Sequence, residues 1–135
     1  MKKIFMFIVL VLALVLTACG ATASTSAPTE PAAIAQSFWD AIIAKNTDAA
    51  MAFLADDVNL VGGPFYAFDK AQFSEFMSTE GVKATFEISD LKAVSADTVT
   101  YNMKVLSETG SLLGEEADLK IQVKDGKIIL LEFAD

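Results

Sequence analysis

The chain has 135 residues and a net charge of −8, from ten lysines and eighteen acids, with no histidine and no arginine. That length holds one domain with tails. The missing residues exclude imidazole bases, histidine metal ligands and guanidinium clamps for phosphate. A single cysteine, Cys19, allows neither an intrachain disulfide nor a thiolate zinc cluster.

The amino terminus is the most informative segment. Lys2 and Lys3 precede an uninterrupted apolar run from Ile4 to Leu16. Thirteen helical residues rise ~20 Å, short of a ~30 Å hydrocarbon core, so the run reads as a secretory signal. Discounting residues 1–18 leaves eight lysines against eighteen acids, a charge of −10 that repels nucleic acid and anionic headgroups. The stretch Leu16-Thr17-Ala18-Cys19 resembles the bacterial lipobox, with small residues before the cysteine. That resemblance implies cleavage before Cys19 and acylation there, and two or more acyl chains suffice for stable anchoring. The implied location is the outer side of a cell membrane or an outer membrane. Two other readings stay open. Ala21-Thr22-Ala23 offers an ordinary cleavage site that would discard Cys19, and the run could remain as an uncleaved anchor. From Gly20 to Pro31 the sequence GATASTSAPTEP cannot bury enough apolar area to order itself. The expected organisation is therefore a signal over 1–18, a lipidated cysteine and linker over 19–31, and a folded domain over 32–135.

Thr29-Glu30-Pro31 predicts a helix start with a threonine cap. Ile34, Phe38, Ala41 and Ile42 recur at helical spacing, and Lys45-Asn46 closes the helix. Thr47-Asp48 opens a second, short helix with Met51 and Leu54 as core positions, ending at Asp56-Asp57 as solvated turn residues. Val58 to Val61 reads as a short strand, and Gly62-Gly63-Pro64 as a break. Asp69, with Gln72 three residues on and Phe68 ready to staple onto Phe73, marks a third helix. After Gly81 the apolar period falls to two. Val82, Ala84, Phe86 and Ile88 form one alternating set, then Val99, Tyr101, Met103 and Val105, then Ala117, Leu119, Ile121 and Val123. Asp125-Gly126 is a hairpin turn into a last strand, Ile128 to Phe133. The expected fold class is α+β, with N-terminal helices packed on one face of a curved antiparallel sheet.

This order, together with FWDAIIAKNTDAAMAFLADDVNLVGG, resembles the nuclear transport factor 2-like superfamily, which includes ketosteroid isomerases, SnoaL-like polyketide cyclases and small lipoproteins. The resemblance implies a cone whose open end holds a small apolar molecule. It does not carry over the isomerase machinery. The helix position of the oxyanion-hole tyrosine reads Phe38, the strand-end aspartate falls in Leu60-Val61-Gly62-Gly63, and the second acid falls near Leu119, with Asp118 facing outward. No catalytic residue, metal ligand or cofactor is therefore assigned. Glu115, Glu116 and Asp118 lack the spacing of a calcium loop.

The candidate ligand-binding groups inside the cone are Asn59, Tyr66, Tyr101 and Trp39, among Phe65, Phe68, Phe86, Met103 and Phe133. They describe a pocket with a few polar groups. They equally describe a closed core, which eleven aromatics after the signal are enough to fill, and close packing favours that reading. The leading expectation is a non-catalytic domain, anchored through Cys19, that binds a small apolar ligand or an envelope protein. The alternatives are a SnoaL-like enzyme using Tyr66 or Tyr101 with Asp57, and a module that dimerises through the outer sheet face.

Overall fold

The computed structural model describes residues 30–63, 68–107, 109–110 and 116–134. Helix α1 spans Pro31–Ile43 and buries Ile34, Ala35, Phe38, Trp39 and Ile42, a stripe widened by Trp39. Proline suits the first turn because its missing N–H has no intrahelical partner there. Glu30, without a side-chain hydrogen bond, stands at the cap, while Thr29 lies outside the described residues.

The end of α1 is built with care around Lys45. Its N–H donates to Ile42 O at 3.0 Å, and Asn46 N–H donates to Ala41 O at 2.9 Å. This is a Schellman turn, and Lys45 takes the left-handed position at φ 60°, where glycine is usual. Its side chain compensates. Nζ donates to the carbonyls of Gly81 and Ala84 and lies 5.7 Å from the centre of the Phe86 ring. Asn46 then caps α2 (Thr47–Met51) by accepting from Ala49 N–H at 3.1 Å.

Strand β1 covers Leu54–Val61, longer than the expected Val58 to Val61. Asp56 and Asp57 are corrected from turn residues to strand residues, and Leu54 from a helix to the first strand position. The reason is a bulge: pairing with β5 slips between Leu54 and Asn59, so both acids face solvent in succession. Lys70 Nζ braces this segment, donating to Leu54 O and Asp56 Oδ1 at 2.9 Å each. Gly62 and Gly63 follow at φ 76° and 57°. A Cβ on Gly63 would stand 2.9 Å from the Phe133 ring, so the close approach of the two chains needs glycine.

Helix α3 (Lys70–Thr79) carries the expected capping box. Asp69 Oδ1 accepts from Gln72 N–H at 2.8 Å, and Asp69 N–H donates to Gln72 Oε1 at 3.0 Å. Phe68 packs on Phe76, with ring centres 5.8 Å apart. A 3-10 turn, Gly81–Lys83, takes the place of the expected strand start, which leaves Val82 exposed.

Strands β2 (Ala84–Ala93), β3 (Thr98–Ser107), β4 (Ala117–Lys124) and β5 (Lys127–Ala134) form the antiparallel meander. The spatial order is β1-β5-β4-β3-β2, and β1 lies parallel to β5, so the five-stranded sheet is mixed. Asp125 and Gly126, at φ 51° and 76°, make the two-residue β4–β5 turn, both left-handed as a type I′ turn requires. Val99, Tyr101, Met103, Leu119, Ile121, Val123, Ile128 and Leu131 line the inner face and pack with α1 in one core. Helices on one side and polar residues on the other are the two faces that the alternation requires.

Candidate ligand site in the aromatic cone

Trp39 is the hub of the interior. Its ring centre lies 5.0 Å from Phe38, 5.6 Å from Tyr101 and 6.0 Å from Phe86, the first two contacts edge-on. Adjacent helix positions do not share a face, yet Phe38 and Trp39 are both buried, the latter against Phe86 and Tyr101 of the sheet. Tyr101 comes from β3, where alternation with Thr100 and Asn102 points it inward.

Both polar atoms of this pair are orphans. Among the described residues, Trp39 Nε1 and the Tyr101 hydroxyl are fully buried and meet no partner at hydrogen-bond geometry. An unsatisfied buried donor costs about 1–3 kcal/mol, so two at one place are a substantial local expense. Burial pushes the Tyr101 hydroxyl far above its ordinary value of 10.0, and the indole only partly opposes that shift. The phenol is therefore a neutral donor and not a phenolate base. Besides Trp39 and Tyr101, the one buried polar or charged side chain among the described residues is Thr98, whose hydroxyl donates to Asp97 at 2.8 Å.

The structure thus brings Trp39 and Tyr101 together and leaves Asn59 apart. Asn59 is exposed on β1, between inward-facing Val58 and Leu60, and pairs across to Leu130 on the outer side. Tyr66 and Phe65 lie outside the described residues, as does Cys19. The positions matched to the isomerase machinery hold buried Phe38 and Leu119, while Asp118 faces outward and accepts from Asn102 Nδ2 at 3.2 Å. Asp57 is exposed on β1, with β5 and β4 between it and Tyr101 on β3.

A groove of about 580 Å³ crosses the outer sheet face, lined by Asp90, Lys92, Thr100, Asn102, Lys120 and Glu132 among others. A bulge makes its rim, where Asp90 adopts φ 55° as the pairing slips between Ser89 and Lys92. Asp is among the few residues that tolerate this conformation, which is the one signal that could have located the bend. Lys120 pairs with Glu132, and Lys104 with Glu116 at 2.5 Å, so much of this face neutralises itself.

No protein-family model and no curated protein sequence matches the chain. Solved structures do. A nuclear transport factor 2-like protein from Cytophaga hutchinsonii superposes with a TM-score of 0.68 at 14% identity, covering 82% of this chain and 92% of its own. A Δ5-3-ketosteroid isomerase from a Mycobacterium species gives 0.65 at 16%, covering 79% and 94%. A Mycobacterium tuberculosis protein in complex with estradiol-17beta-hemisuccinate gives 0.65 at 17%, covering 79% and 95%. At such identities the likeness is one of fold: the described residues carry an α+β architecture of the nuclear transport factor 2-like, cystatin-fold kind.

Proposed function

We propose that this chain is a membrane-anchored, non-catalytic binding protein for a small apolar molecule, held outside the cytoplasm through lipid on Cys19. The observation that carries the binding reading is the pair of unpartnered polar atoms, Trp39 Nε1 and Tyr101 Oη, enclosed by aromatic rings. An apolar enclosure with a very small number of polar groups is the usual make-up of a small-molecule site. The M. tuberculosis neighbour, solved with a steroid ester, lends the fold precedent. The anchoring reading rests on Leu16-Thr17-Ala18-Cys19 and the linker that follows. No described helix is long and apolar enough to cross a membrane. The attachment proposed is a covalent lipid, on the strength of the lipobox-like residues.

The non-catalytic reading rests on the absence of a carboxylate from the buried set among the described residues. Proton abstraction from a bound carbon acid needs a base within hydrogen-bond reach, and Asp57 is across the sheet from Tyr101. The test is extraction of protein purified from its own membranes, with mass spectrometry of the organic phase. A neutral apolar molecule near one per chain is expected, above the background from an unrelated lipoprotein prepared in parallel. An extract indistinguishable from that background contradicts the proposal.

A further inference from the structure

We propose that the groove on the outer sheet face binds a small zwitterion, a primary ammonium and a carboxylate on one carbon, as in a free α-amino acid. This site is separate from the aromatic cone and lies on the opposite face of the sheet. The cross-strand register arranges its charges. Lys92 on β2 and Lys120 on β4 both pair with Thr100, on the strand between them. Two residues along β3, roughly 7 Å away, Asn102 pairs with Asp118 on β4 and with Ser89 on β2. The bulge begins at Ser89 and leaves both Ser89 and Asp90 exposed, while Leu91 turns back to the core. One wall of the groove therefore carries two ammonium groups and the other two carboxylates, with Thr100 and Asn102 between them.

Regular alternation would not expose Ser89 and Asp90 in succession, so the bulge is what aims Asp90 at this wall. On β4 the charges are already engaged: Glu132 holds Lys120, and Asp118 accepts from Asn102. On β2 they are not. Among the described residues neither Asp90 nor Lys92 has an ion-pair partner, and they do not pair with each other. The β2 end thus offers an acid and a base to one molecule that carries both signs. A simple anion would meet Asp90 and Asp118, and a simple cation would meet Lys92 and Lys120. A quaternary ammonium would want aromatic faces, but Tyr101 reaches the groove only through its backbone, its ring being buried on the other side. A primary ammonium instead has the N–H donors that carboxylates accept. The volume of about 580 Å³ falls within the usual range for a small-molecule site.

The full chain in detergent micelles, at about pH 6 and low salt, is titrated with glycine, glycinamide and N-acetylglycine. The readout is the backbone amide resonances of Thr100, Tyr101 and Asn102. Glycine is expected to move them and to bind about threefold to fivefold more tightly than the cation glycinamide or the anion N-acetylglycine. That preference should fall toward onefold in ~1 M salt. Lys92→Gln should erase the advantage over glycinamide. Asp90→Asn, which tolerates the positive φ, should erase the advantage over N-acetylglycine. Equal binding of the three probes, resonances that glycine does not move, or variants that keep the wild-type order overturn the inference and leave the cone proposal untouched. A dimer in sedimentation whose three amides ignore glycine overturns it too, in favour of a second copy on this face.

Discussion

Tyr101 and Trp39 are the residues at which packing and hydrogen bonding disagree. Their rings fit the aromatic cluster, yet neither polar atom finds a partner among the described residues. In ligand-free protein the phenol oxygen is then a cost, and Tyr101→Phe should raise stability by about 1 kcal/mol in urea unfolding. A loss of that size would mean that the hydroxyl has a partner in the folded chain. Asp97 is the opposite case. Ser95 Oγ donates to it at 2.6 Å and Thr98 Oγ1 at 2.8 Å, and these bonds, Ser95 first, hold its carboxyl below the ordinary 3.8. A depressed carboxylate contributes stability above its unfolded value and loses it as pH falls through the folded one. Asp97→Asn should therefore lower the urea midpoint at pH 7, and the two proteins should converge as pH falls through the depressed folded value. A midpoint difference that persists unchanged into acid would contradict this.

Among the elements, those with purely local chemistry were legible from the residues alone. The Asp69–Gln72 box and the Asp125-Gly126 turn are set by neighbours within four positions, so their signatures transferred directly into structure. Asp69→Ala should cost about 1 kcal/mol, read from thermal or urea unfolding. The misplaced boundaries all depend on partners distant in sequence. Asp56 and Asp57 read as a turn because the bulge against β5, braced by Lys70, is invisible in their own neighbourhood. Val82 read as strand because alternation continues through it, while the chain there makes a 3-10 turn. Parallel pairing of β1 with β5 is likewise a long-range fact. Two glycines separate backbone conformation from crowding. Gly63 and Gly110 both have positive φ, but a Cβ on Gly63 meets the Phe133 ring and one on Gly110 meets nothing within 4 Å. Gly63→Ala should cost more than Gly110→Ala, the latter showing only the ~1–2 kcal/mol of the left-handed conformation. Equal losses would mean that Phe133 yields freely.

At the scale of the whole molecule, fold class is carried by pattern, and the proposed ligand site is not. Periodicity placed Tyr101 inward, and its side chain is buried in the core. It could not place Asn59, because a short strand with a bulge gives no safe parity, and Asn59 faces solvent. Nor could sequence reveal that two buried donors lack acceptors, since that depends on the three-dimensional count of partners. The anchor makes its own prediction. Cys19→Ala should abolish labelling by a palmitate analogue and move the chain from the membrane to the soluble fraction, whereas equal labelling would remove Cys19 from the account. The claim at the centre is that the cone encloses a neutral apolar molecule. A crystal structure of protein purified from its own membranes tests it most directly. The account predicts small-molecule density among Phe38, Trp39, Phe86 and Tyr101. A Tyr101 hydroxyl bonded to the protein's own backbone or side chains, in an interior filled by them, would contradict it.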